Sequence, residues 1–113
     1  MSSIKIALSG VYDARYFVGD CLDDEAIYQN SPADYIWNQN DGWFIDRCRN
    51  ADIIVCTGLG AWEQDGLPSF YTLKEAFEHK NIPAWFAEWG YDVSHDWIWW
   101  RKQMPYFLNQ LNL

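Results

Sequence analysis

Three short apolar runs punctuate the chain: Ile4 to Leu8, Ile53 to Cys56 and Ile82 to Phe86. None alternates cleanly between apolar and polar positions, and Lys5 is the one charge among them. Runs without alternation suit strands covered on both faces, as in a parallel sheet. Between the second and third runs, Gly58 and Gly60 break regularity. Pro68 and Ser69 then open a helix, with Ser69 as its predicted N-cap. Phe70, Leu73, Ala76 and Phe77 follow at helical spacing and define a buried face. A strand, a helix and a strand of this length form a right-handed βαβ unit.

The remaining pattern is weaker. Residues Ala14 to Gln29 read as a helix with a ragged apolar face of Tyr16, Phe17, Cys21 and Leu22. Its Asp23-Asp24-Glu25 patch reads as a solvated surface. Asn30 to Asp34 is a turn, Tyr35 to Trp37 a short strand, and Asn38 to Gly42 a second turn. Asp41 is placed to cap a helix over Trp43 to Asn50, with Trp43, Phe44 and Cys48 facing inward. The last helix starts at Ser94 or Asp96. Its four consecutive large residues, Trp97-Ile-Trp-Trp100, cannot share one buried stripe, so at least one tryptophan faces solvent. Pro105 ends or kinks that helix. The expected fold is a small flavodoxin- or Rossmann-like three-layer α/β domain, with a parallel sheet of about four strands and residues 1–113 as a single domain.

Composition narrows the function. The net charge is −8, with 16 acidic against 8 basic residues. That argues against direct nucleic-acid binding, which needs a basic surface, and leaves room for a basic protein partner. Cys21, Cys48 and Cys56 have no CxxC spacing and read as reduced thiols of a cytoplasmic protein. The start of the chain lacks signal-peptide character. No run approaches the roughly 20 apolar residues of a membrane span. Eight tryptophans and the aromatic tail predict a homo-oligomer.

In parallel sheets, ligands bind beyond the C-terminal strand ends. Three loops meet there: Ser9 to Asp13, Gly58 to Ser69, and Glu88 to Asp92. They carry Tyr12, Asp13, Trp62, Glu63, Asp65, Ser69, Glu88, Trp89 and Asp92. Carboxylates bind sugar hydroxyls or stabilise an oxocarbenium-like centre, and aromatic rings stack on a base. The ligand-binding candidates are Ser9, Gly10, Tyr12, Asp13, Gly58, Gly60, Trp62, Ser69 and Trp89. His79 and His95 lack zinc-ligand spacing, so no metal is expected. There is no GxGxxG, P-loop or GxSxG, and no cofactor is expected.

The segments Ala51-Asp-Ile-Ile-Val, Gly60-Ala-Trp-Glu-Gln-Asp-Gly, and Ser69 with Glu75 before Asn81-Ile-Pro83 resemble nucleoside 2-deoxyribosyltransferases and their small relatives, often encoded by phages and bacteria. Ser9-Gly-Val-Tyr12 after the first strand is similar too. The resemblance spans roughly residues 4 to 87. It implies a flavodoxin-like fold and a nucleoside or nucleotide-like ligand. It also implies cleavage or transfer of an N-glycosidic bond, with Glu75 as the matching carboxylate and Tyr12 orienting it. The glycine loop here is longer than the family's. By helical spacing Glu75 points away from the buried face, and this keeps Asp65 and Glu88 as further catalytic candidates. Two other readings stand beside catalysis. The protein binds, senses or sequesters a nucleotide signal without turnover, or it is an acidic, tryptophan-rich inhibitor, viral in type, of a host protein.

Overall fold

A computed structural model describes residues 4–13 and 31–111. The helix expected over Ala14 to Gln29, with Cys21 and the acidic patch, lies outside the described residues. Three strands form one parallel sheet in the order β1-β2-β3: β1 (Ile4–Leu8), β2 (Asp52–Thr57) and β3 (Trp85–Glu88). Ile54 of β2 lies opposite Ile6 and Trp85, and Cys56 opposite Leu8 and Ala87. Among the described residues, four helices pack around the sheet: α1 (Pro32–Asn38), α2 (Gly42–Arg49), α3 (Leu67–His79) and α4 (Trp97–Gln110).

Successive residues of a strand point to opposite faces, and both faces of β2 are covered. Val55 joins Ile36, Ile45, Phe70, Leu73, Ala76 and Phe77 of α1, α2 and α3 in one core. Ile54 and Cys56 join Ala87 and Phe107 of α4 in the other. This is a three-layer α/β domain, and its two-sided burial explains the unalternating apolar runs. Among the described residues, no helix is long and apolar enough to cross a membrane, and Cys48 and Cys56 are free thiols.

Four local expectations shift. Tyr35 to Trp37 is helical and lies in α1, so the sheet has three described strands rather than about four. Pro32 occupies the first turn of α1, where its missing N–H costs nothing, and Ala33 and Ile36 bury one face at helical spacing. β3 starts at Trp85 rather than Ile82. Ile82 instead closes α3: its N–H bonds Phe77 O at 2.9 Å, Asn81 N–H bonds Glu78 O, and Asn81 has φ 55°. That is the Schellman arrangement, which tolerates Asn in the left-handed region. Trp43 is 68 % exposed, lying under the Arg47 guanidinium, and Ile45 takes the inward position on α2. Pro105 sits inside α4 without ending it. It lies on the helix's exposed side, where a carbonyl freed from its N–H partner is open to solvent.

Candidate functional site

The carboxyl ends of β1 and β2 converge on one buried carboxylate, Glu63, which is 2 % exposed. Ser9 Oγ donates to Glu63 Oε1 at 2.8 Å, and Thr57 Oγ1 lies 3.1 Å from Oε2. Thr57 Oγ1 is also 2.9 Å from Gly58 O, so its single proton has two acceptors. Trp100 Nε1 of α4 donates to Ser9 Oγ at 3.1 Å. His95 Nδ1 is 3.7 Å from Glu63 Oε1, beyond hydrogen-bond length, and the His95 ring stands edge-on to Trp100. Burying a carboxylate is costly unless hydrogen bonds replace its water. The two hydroxyls supply them here.

Local backbone serves this arrangement. Ser9 has φ 54°, a conformation that costs a non-glycine residue roughly 1–2 kcal/mol. Its N–H continues the ladder to Cys56 O at 2.8 Å. Tyr12 turns inward beneath Gly10, where a Cβ would lie 2.8 Å from the phenol carbon. Burial pushes the Tyr12 phenol up to about 12. The Gly10 amide offsets part of this, and the nearby Cys56 and Glu63 add to it. The Cys56 thiol is likewise pushed up to about 12, by burial first and then by Glu63.

A cleft of about 340 Å³ opens beside this network, lined by Val11, Asp13, Ala33, Asp65, Pro68, Ser69 and Thr72. Ser69 does not cap α3: the N-cap is Gly66, and Ser69 lies inside the first turn. Its Oγ accepts Tyr12 N–H at 2.9 Å and donates to Gly66 O at 3.2 Å, fastening the β1 loop to the helix start. A larger cleft, about 450 Å³, lies at the opposite end of the sheet around Arg49, Asp52, Pro83 and Trp85. We take the smaller as the site, because ligands of open α/β sheets bind beyond the carboxyl ends. At the other end, Arg49 is occupied by Lys80 O and Asn81 O at the close of α3.

The sequence candidates separate cleanly in space. Asp13, Asp65 and Ser69 line the cleft. Ser9, Gly10 and Tyr12 form the buried floor next to Glu63. Gly58 and Gly60 face protein rather than open space: a Cβ at Gly58 would lie 2.2 Å from Val93 O, and one at Gly60 2.6 Å from Tyr91 O. Trp89 packs edge-on against Tyr106 and near Phe107 of α4. Trp62 is 77 % exposed with φ 67°. Glu75 is exposed on α3 and is absent from the cleft lining. Glu88 ends β3, exposed, beside Tyr71, whose phenol is pushed up by partial burial and then by the Glu88 charge. Glu63 was one carboxylate among several in the sequence. Its signal is two small hydroxyl residues at strand ends, Ser9 and Thr57, able to partner a loop acid. Among the described residues no group of His, Cys, Asp and Glu has the arrangement of a metal site.

No protein-family model matches the chain, and no characterised protein matches it in sequence. Among solved structures, it is similar to one described as a ferulic acid esterase, with a TM-score of 0.66 and 16 % identity. The match covers 93 % of this chain and 40 % of that one, so the chain spans well under half the length of this neighbour. At that identity the likeness concerns the fold.

Proposed function

We propose that the protein binds a nucleoside- or nucleotide-derived small molecule in the Asp13–Asp65–Ser69 cleft. The observation that carries this reading is the pairing of two carboxylates with a small hydroxyl around a cleft of about 340 Å³ at the carboxyl end of a parallel sheet. Such acceptors suit the hydroxyls of a sugar, and the volume falls in the range of small-molecule sites. The resemblance to nucleoside 2-deoxyribosyltransferases points the same way. Of the carboxylates Glu75, Asp65 and Glu88, Asp65 alone lines the cleft. It is therefore the group we assign to an oxocarbenium-like centre if an N-glycosidic bond is cleaved or transferred. In this reading the protein is cytoplasmic, of phage type and homo-oligomeric.

An esterase-like reaction has less support. Acyl transfer by serine needs an imidazole to take the hydroxyl proton, whereas Ser9 Oγ donates to Glu63 and accepts from Trp100. The acidic interaction-protein reading draws on Trp62, Tyr91 and Trp97, all more than half exposed. A basic protein partner would suit that surface.

One incubation tests the proposal. Purified protein is mixed with nucleosides, nucleotides, NAD and cyclic dinucleotides, the protein is filtered off, and the filtrate is chromatographed. Free base in the filtrate identifies N-glycosidic chemistry, which Asp65→Asn should abolish. Depletion of one compound, recovered intact on denaturation, identifies a binder. An unchanged filtrate refutes both versions and directs attention to a protein partner.

A further inference from the structure

We propose that the aromatic surface formed by the loops after β2 and β3, around Trp62, Tyr91 and Trp97, docks an arginine-bearing segment of another protein. It stands apart from the ligand cleft, since none of these residues lines it. Among the described residues, five large apolar or aromatic side chains are more than half exposed, and four of them lie here: Trp62, Tyr91, Trp97 and Ile98.

Backbone bonds join the segments that carry them. The turn holding Trp62 is closed by Glu63 N–H to Gly60 O at 3.2 Å, and the turn holding Tyr91 by Val93 N–H to Gly90 O at 3.1 Å. Leu59 N–H bonds Gly90 O at 3.1 Å and Gly60 N–H bonds Val93 O at 2.9 Å, which fastens one turn to the other. His95 N–H bonds Ala61 O at 2.9 Å and brings the chain entering α4 alongside. Trp62 is held in place as well as exposed. Its φ of 67° is uncommon for a bulky residue. Ala61 before it is bonded by His95, and Glu63 after it is buried, with its carboxylate engaged by Ser9 and Thr57. A large ring on a backbone already fixed loses little freedom when a partner covers it, as at interface hot spots.

Charge identifies the occupant. Residues 57–66 and 88–100 contain Glu63, Asp65, Glu88, Asp92 and Asp96, and neither Lys nor Arg. Asp92 follows Tyr91 and Asp96 precedes Trp97; both are exposed, and the Asp96 carboxylate does not cap α4. Elsewhere the chain supplies its tryptophans with cations of its own. Arg47 lies 4.8 Å from the centre of the Trp43 ring, and Lys102 lies 4.8 Å from that of Trp99. Among the described residues, no cation lies over Trp62, Tyr91 or Trp97. Rings beside carboxylates, without a cation, complement arginine. Its planar guanidinium stacks on an aromatic face and pairs with a carboxylate through two parallel bonds, which an ammonium cannot do. The net charge of −8 steers such a segment toward the protein.

The test is fluorescence anisotropy of a labelled peptide alternating arginine and glycine, titrated with the full chain at about 150 mM salt. A lysine–glycine peptide of equal length and charge is run beside it. We expect the arginine peptide to bind about threefold or more tighter than the lysine peptide. Trp62→Ala and Trp97→Ala should each weaken it about fivefold, and Asp92→Lys with Asp96→Lys should weaken both peptides. Trp43→Ala, whose ring already has Arg47, should change nothing. Urea midpoints confirm that each variant is folded. Failure of the arginine peptide to bind overturns the proposal. So does binding that Trp62→Ala and Trp97→Ala leave unmoved, which would be charge alone. A homodimer in sedimentation velocity that Trp62→Ala dissolves also overturns it, because a second copy then covers the surface. None of these outcomes touches the ligand cleft, so nucleoside uptake is decided separately.

Discussion

Replacing Glu63 tests whether one buried carboxylate holds the strand ends together. Two hydroxyls face it, Ser9 Oγ at 2.8 Å and Thr57 Oγ1 at 3.1 Å. A hydrogen bond to a charged group contributes about 1.5–3 kcal/mol. The two bonds do not count equally. Thr57 can give its proton to Gly58 O instead, at 2.9 Å, so removing the carboxylate strands mainly Ser9. Glu63→Ala also leaves a void where the side chain was 98 % buried, its exposure being 2 %, and it removes the contact that favours the left-handed backbone of Ser9. We therefore expect Glu63→Ala to lower stability by about 3 kcal/mol. Glu63→Gln behaves differently. Its amide oxygen accepts from Ser9, and its NH2 donates to Thr57 Oγ1, whose proton moves to Gly58 O. One amide hydrogen alone is then left without an acceptor, and the loss should be about 1 kcal/mol. Urea unfolding followed by tryptophan fluorescence, extrapolated linearly to water, measures both. The hydrogen-bond reasoning is refuted if Glu63→Ala falls within about 0.5 kcal/mol of the parent. Equal losses for the two variants would instead make the negative charge, facing His95, the source of the stability.

Gly58→Ala places a methyl group 2.2 Å from Val93 O and should cost more than about 2 kcal/mol. Gly42→Ala meets nothing within 4 Å at the first position of α2 and should be neutral or stabilising by up to about 1 kcal/mol; paired urea midpoints check both. Gln103 is 1 % exposed with neither amide atom hydrogen-bonded, so Gln103→Met should raise stability by about 1–3 kcal/mol, read as a higher midpoint at unchanged m-value. Tyr12 and Cys56 hold their protons up to about 12 in the folded state, against 10.0 and 9.0 as ordinary values. The unfolded chain loses those protons first, so their contribution is complete below pH 9 and lost progressively from pH 9 to about 12. Cys56→Ala should flatten this alkaline decline by roughly 2–3 kcal/mol, seen by comparing urea midpoints of parent and variant at pH 8.5 and pH 11.

The βαβ unit was legible because its signal is local. Ile54 and Val55 bury opposite faces of β2, so the apolar run needs no knowledge of partners. Tyr35 to Trp37 misled because three residues carry too little periodicity to separate strand from helix. Pro32 at the helix start and the spacing of Ala33 and Ile36 held the better signal. At β3, Ile82 looked like strand because it is apolar and buried, yet it is buried as the residue closing α3. That three loops share the carboxyl end of the sheet was also legible, since sheet topology alone assigns them there. Which carboxylate goes inside was not. That depends on Ser9, Thr57 and Trp100, which are brought together only by the completed fold. The roles of Gly58 and Gly60 were hidden for the same reason: the carbonyls that demand them belong to another loop.

Glu63 and Asp65 stand two residues apart with opposite duties. Glu63 points into the protein, its oxygens engaged by hydroxyls and its surface sealed. Using it for a ligand would mean breaking bonds that fix the ends of β1 and β2. Asp65 is exposed and lines the cleft. A carboxylate in water gives up little when a ligand hydroxyl replaces that water. Stability and binding should therefore respond to different members of the pair. Asp65→Asn should leave the urea midpoint within about 0.5 kcal/mol of the parent and reduce nucleoside uptake. Glu63→Gln should lower the midpoint, with any nucleoside binding retained in the fraction that remains folded. Equilibrium dialysis at a urea-free pH of 7, alongside the unfolding curves, separates the two effects. If Asp65→Asn destabilises the protein as strongly as Glu63→Ala, the division between an acid used by the fold and an acid left for the ligand is wrong.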